Sequence, residues 1–392
     1  MSTRGFQPRP RDPGGSALDA AQIAAHNEAV SELWRAYGQG ENDRVPIVFA
    51  ADESLWLNLT GHSFRDFYLD PAVQLQVLLE GQAWWAETIV HDQPFGPPAE
   101  AWTVAPRFWM EEPEYFGCEV VIQEDSFAWS RPLADSKADL LHRLADLDPV
   151  TSVKQGQLWR LYTALRELTD GMVWRDLPVR VSPPGGGTHG VFTVACHVRG
   201  AEPLCLDLAE DPDFARELLG IIAEKTIERI KAWHELAATG VTLPLPSWGM
   251  CDDSVQFISA RTYEQIVLPS HQRIYAAMTT GSRHLHLCGH SQQHFAALYH
   301  ELGIRLLDGP GPFVDWGALL EAYSDLSINA QVDHTRLLLG PPEDIRQMLR
   351  DALTERARQP GRLQVMGFMG PRTPLPHVRC MYEAGRQFGR IG

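Results

Sequence analysis

The run "HLHLCGHSQQHFAALYHELGIRLLDG", residues 284–309, decides the fold. Its first five residues alternate polar and apolar, as a strand with one face against a core does. "SQQHFAALYHELG" (291–303) then repeats apolar residues at helical spacing and closes on a glycine, and "IRLLDG" (304–309) is a second short apolar run. A strand, a helix of that length and another strand form a crossover, which makes the two strands parallel.

The same unit recurs on both sides. Downstream come the helix "DWGALLEAYSD", the strand "LSINA", the helix "PPEDIRQMLRDALTERARQPG", the strand "LQVMGF" and the helix "LPHVRCMYEAGRQFG". Upstream lie the helix "SARTYEQIVLPSHQRIYAAM", interrupted at Pro269, and a long amphipathic helix over 211–240. "GVFTVACHV" (190–198) is expected to be a strand. Nearer the start, "RVPIVFA" (44–50) is a strand followed by a helix over 70–88. A helix entered through a capping box at Ser16 and Asp19 precedes them and ends at Gly38. About eight strand candidates fit a closed (β/α)8 TIM barrel with an N-terminal helical extension better than an open sheet. Residues 91–185 are the least regular part and read as a long loop and hairpin insertion. Residues 1–15, rich in Pro, Gly and Arg, are expected to be a mobile arm, and 16–392 one domain.

Composition narrows the function. The chain of 392 residues carries 50 acidic and 34 basic residues, a formal net charge of −16. Without clustered Lys and Arg there is no nucleic-acid surface. No apolar stretch reaches the roughly 18 residues that a membrane span needs, and the N-terminus has no apolar leader, so a cytoplasmic protein is expected. Six scattered cysteines read as reduced thiols.

In the opening strand, successive side chains face opposite ways. His284, His286 and Cys288 therefore share one face, with Leu285 and Leu287 on the other. Gly289 ends the strand and puts Cys288 at the C-terminal rim, where barrel enzymes build their sites. A histidine nitrogen with a cysteine thiolate suits Zn²⁺. His290 follows and, with His284 and Trp109, is expected to meet a small-molecule substrate. His91 and Asp92 end another apolar run and are candidate acid–base groups at a rim. Asp252 and Asp253 follow "PSWGMC"; adjacent residues diverge in an extended chain, so one of them reaches the pocket, with Asp252 preferred. "SPPGGGTHG" (182–190) lacks the Lys-Ser/Thr of a phosphate loop and reads as a connection.

The pieces "CDDSVQFISARTYEQIVLPSHQRIYAAM" (251–278), "HLHLCGH", "GPFVDWGALLE", "LLLGPPEDIRQML" and "GPRTPLPHVRCMYEAGRQFG" resemble, in order, the uroporphyrinogen decarboxylase superfamily. The likeness is nearer to its corrinoid and coenzyme M methyltransferases than to true porphyrinogen decarboxylases, whose arginine-rich N-terminal segment is missing from "RVPIVFAADESLWLNLTG". It implies one (β/α)8 barrel, often a homodimer, that transfers a methyl group to a metal-activated thiol, with a corrinoid brought by a partner protein. The alternatives it leaves are a metal-free decarboxylase or lyase working through Asp92 or Asp252, and a non-catalytic corrinoid-protein binder. It also implies zinc held by His286, Cys288 and a cysteine on the last strand. Here "QVMGFMG" places Met369 at that third position, and a thioether is a far weaker zinc ligand than a thiolate. Either Cys251 or Asp252 completes the site, or the metal has been lost.

Overall fold

A computed structural model describes residues 18–184 and 187–392; the arm expected over 1–15, and Ser16, lie outside them. Six strands form one parallel sheet: β1 (Ile47–Ala51), β2 (Leu245–Cys251), β3 (Thr279–His286), β4 (Ile304–Asp308), β5 (Ser327–Gln331) and β6 (Leu363–Met369). Their order is β1-β6-β5-β4-β3-β2, and every pairing is parallel. Each consecutive pair from β2 onward is joined by helical chain, as the crossover argument requires.

Two further parallel pairings lie outside this ladder. One is the parallel bridge of His189 to Cys251 on the β2 edge, and the other is Trp102–Val104, which pairs with Leu177–Val181 rather than with β1. The architecture is the α/β barrel anticipated, with six of its strands in one regular ladder. A single contiguous apolar cluster runs from Val45 to Ala384 and fills the space between sheet and helices.

Several elements depart from expectation. "GVFTVACHV" is a helix, Val191–Arg199, because the Asp252 carboxylate accepts hydrogen bonds from the Phe192 and Thr193 N–H groups and caps its first turn. A short run that is apolar on all sides has no period to separate helix from strand. The first helix, Ala20–Gln39, is capped by Asp19, with Gln22 completing the capping box. It ends on the left-handed Gly40, leaving Gly38 inside it. Within 91–185 the expected hairpin is present (Glu119–Val121 with Trp129–Arg131), but so are four helices, Glu111–Tyr115, Lys137–Ala145, Pro149–Gln155 and Gln157–Leu168. The last of these buries Leu158, Leu161 and Leu165, a helical spacing. Among the described residues no helix is long and apolar enough to cross a membrane.

Candidate active site

A cavity of about 630 Å3 opens at the C-terminal ends of β2, β3 and β4. Cys251 ends β2 and is the direct register partner of His286, which ends β3; Asp308 ends β4 and is the partner of His286 on the other side. Parallel neighbours about 4.8 Å apart thus bring a thiol, an imidazole and a carboxylate to one edge. Asp253 comes next. Its carboxylate accepts from the Cys251 thiol (3.1 Å) and from the Cys288 backbone N–H (2.7 Å), and lies 3.8 Å from His286 Nε2. The ligand atoms of Cys251, Asp253 and His286 all fall within 4.8 Å of one another.

His286 is fixed from behind. Its Nδ1 bonds Asp308 Oδ2 at 2.6 Å, leaving Nε2 toward Asp253. The ring lies so close to Gly309 that a Cβ there would be 2.4 Å from Cε1, and Gly309 itself has φ +81°. Burial opposes a charge on His286. The hydrogen bonds to Asp308 and Cys288 and the neighbouring carboxylates outweigh it and raise the pKa to about 10. Burial, reinforced by the Asp253 charge, pushes the Cys251 thiol well above its ordinary range.

The opposite wall carries a second polar group that sequence reasoning missed. His189 Nδ1 bonds Glu112, whose other oxygen accepts from the His189 N–H (2.8 Å), Thr188 (2.6 Å) and Arg229 (3.0 Å). Arg229 also pairs with Glu111, which accepts from Trp233 Nε1 at 2.9 Å. The Glu112 carboxylate, against the effect of burial, raises His189 to about 9; burial raises Glu111. The one available signal was "WMEEPEYFG", an acidic pair inside an apolar stretch that a core tolerates only when it is paired. Phe108, Trp109 and Leu158 supply the apolar lining between the two polar groups.

The anticipated residues divide between this cavity and other places. His284 and Trp109 line it; His284 lies over Gly249, where a Cβ would be 2.0 Å from the ring, and Trp109 donates its indole N–H to the buried Glu53. Leu285 and Leu287 are buried on the far face, as the alternation required. Cys288 does not line the cavity, but its side chain hydrogen-bonds the His286 ring. His290 stacks on Phe313 with ring centroids 4.3 Å apart, outside the cavity lining. Met369 is buried at the end of β6 beside Ala51, also outside it.

The carboxylate chosen first, Asp252, is fully buried. It accepts from Phe192, from Thr193 and from His271 Nε2 (2.7 Å), so it holds a helix while Asp253 faces the cluster. His91 and Asp92 lie at the other end of the barrel from the cavity. The Asp92 N–H donates to the carbonyl of Ile47, the first residue of β1, and its carboxylate binds Arg44 (2.6 and 2.7 Å), the Ile47 N–H and Tyr382. His91 accepts from the Phe49 N–H, and burial lowers its pKa to about 4, which keeps it neutral. The apolar run that ends at His91 finishes a helix leading down to the strand starts, so it does not reach a rim.

A family model described as uroporphyrinogen decarboxylase (URO-D) matches residues 108–388. The chain belongs to the uroporphyrinogen decarboxylase family. Among curated proteins, this family member is 26% identical over 224 residues to a methylated-thiol–coenzyme M methyltransferase from Methanosarcina mazei. That match covers 57% of this chain and 56% of the relative, so it spans little more than half the relative's length. A solved methyltransferase from Methanosarcina mazei superposes with TM-score 0.60 at 17% identity, covering 92% of this chain and 98% of that one, and shares the fold. A B12-independent methionine synthase from Shewanella is more distant, with TM-score 0.33 and 12% identity over 70% of this chain and 74% of its own.

Proposed function

We propose that this URO-D family chain transfers a methyl group inside the cavity at the ends of β2, β3 and β4, with a thiol as acceptor and a corrinoid protein as the partner that carries the methyl. The observation that carries this reading is the convergence of Cys251, Asp253 and His286 on the cavity edge. The likeness to a methyltransferase of methylated thiols supports it. In such a transfer the bond from methyl to its carrier breaks with the electron pair staying on the carrier, and sulfur supplies the pair for the new S–C bond. The acceptor must therefore arrive as thiolate. A cation held beside it would lower the thiol pKa enough to supply that form at neutral pH.

The chain's own groups do the remaining work. Phe108, Trp109 and Leu158 keep bulk water from the acceptor, and His189, fixed by Glu112, presents its second ring nitrogen to the cavity. Neither carboxylate named for the metal-free decarboxylase reading, Asp92 or Asp252, lines the cavity, and both are committed to internal hydrogen bonds. The test is direct. Metal-loaded protein is mixed with methylcobalamin and a series of small thiols, and loss of the methyl–cobalt absorbance is followed. Thiol-dependent demethylation is expected, with the methylated thiol found by mass spectrometry. Folded, metal-loaded protein that demethylates nothing with any thiol sinks the reading, and tight corrinoid-protein binding without turnover would favour the non-catalytic one.

A further inference from the structure

We propose that the cavity holds a zinc-like divalent cation through Cys251, Asp253 and His286, in place of the His286, Cys288 and last-strand set that the family resemblance implies. The donors come from two adjacent strands, because Cys251 and His286 face each other in the β2/β3 register and Asp253 lies two residues beyond Cys251. Zn–N, Zn–O and Zn–S bonds of about 2.0–2.3 Å in a tetrahedron place neighbouring ligand atoms roughly 3.3–3.8 Å apart. The Cys251–Asp253 and Asp253–His286 separations are 3.1 and 3.8 Å, so small side-chain movements complete the geometry.

Each donor is held by something else. Asp308 fixes the His286 ring through Nδ1, a carboxylate–histidine arrangement that aims Nε2 at a metal. The Cys288 N–H anchors one oxygen of Asp253. Cys251 is pinned at both backbone atoms, its N–H to Thr188 O and its carbonyl to the Gly190 N–H. The charge also fits. Among the described residues, neither Asp253 nor Asp308 is paired with Lys or Arg, so two clustered carboxylates and a thiol have only the His286 ring, with His284 beside Asp308, to offset them. A mixed S, O and N set is borderline in softness and suits zinc better than calcium or magnesium. Cys251 and His286 both line the cavity, so a fourth coordination position opens toward whatever the cavity binds.

The two residues passed over have other duties. Cys288 gives its backbone N–H to Asp253 and its side chain to the His286 ring, and its sulfur does not join the cluster of Cys251, Asp253 and His286 ligand atoms. Met369 ends β6, separated from β3 by β4 and β5, and sits in the core next to Ala51. The last-strand cysteine is thus replaced by one at the end of β2. This assignment stands on side-chain geometry and does not depend on which group the cavity transfers.

The test uses the full chain with Zn²⁺ and Co²⁺ as probes. Wild-type protein is expected to retain one metal per chain after dialysis and, with Co²⁺, to show one thiolate-to-cobalt charge-transfer band. Cys251→Ser should remove that band and weaken binding by about 100-fold, and Asp253→Asn and His286→Ala should each weaken it at least about 10-fold. Cys288→Ser and Met369→Leu should keep the stoichiometry and most of the band. Circular dichroism identifies any variant that fails to fold. For that case, zinc protection of Cys251 against alkylation, read by peptide mass spectrometry, tests the assignment on wild-type protein. Loss of the band in Cys288→Ser with its survival in Cys251→Ser overturns the proposal, as does zinc that protects Cys288 and leaves Cys251 reactive.

Discussion

His286 shows how far a single residue's neighbours decide its chemistry. Its ring would be an ordinary strand histidine but for Asp308 on Nδ1 and Gly309 against its edge. Replacing Asp308 by Asn keeps the shape and weakens the acceptor; metal affinity is expected to fall by about 10- to 100-fold, measured by competition with a chromophoric chelator. Unchanged affinity would mean that Asp308 does not support the ring. Across the cavity, His189 makes a pH prediction. Its pKa rises from 6.5 to about 9 on folding, so the Glu112 pair contributes its full stabilisation below pH 6.5 and loses it as the pH climbs through 9. Urea unfolding midpoints of metal-free protein should therefore decline between pH 6.5 and 9.5. In His189→Gln that particular decline should vanish, leaving a flatter profile.

At the scale of elements, the adjacent pair Asp252 and Asp253 joins two different structures. Asp252 ties β2 to the first turn of the Val191–Arg199 helix and to His271, and Gly190 must lack a side chain because a Cβ there would sit 2.2 Å from the Asp252 carboxylate. Asp252→Asn should cost about 2–3 kcal/mol of stability, since it weakens a helix cap and misplaces a donor in a buried site, while leaving metal stoichiometry intact. Asp253→Asn should do the reverse. Equal effects of both changes on metal content would contradict this division. The parity of an extended chain already required that only one of the two face the cavity. Choosing between them needed the helix that the sequence pattern disguised as a strand.

At the scale of the whole molecule, Asp92 gathers distant parts of the chain: Arg44 before β1, the start of β1 itself, and Tyr382 on the final helix. Asp92→Asn leaves Arg44 with a neutral partner, at a cost of about 3–5 kcal/mol. Because this junction lies at the strand starts, the unfolding midpoint should drop while Co²⁺ affinity and spectrum stay as in wild type. A changed spectrum would place Asp92 in the site after all. The alternation of short apolar runs with helical repeats was enough to specify parallel crossovers and hence the barrel, because period and connection length are local properties. The parity of "HLHLC" was likewise enough to send His284 and His286 to the inside and Leu285 and Leu287 to the core. What no local pattern contains is which strand ends meet. The pairing of Cys251 with His286, the approach of Asp253 to both, and the meeting of Glu112 with His189, 77 residues further along the chain, were decided only by tertiary register, since a contact between side chains far apart in the chain depends on the packing of everything between them.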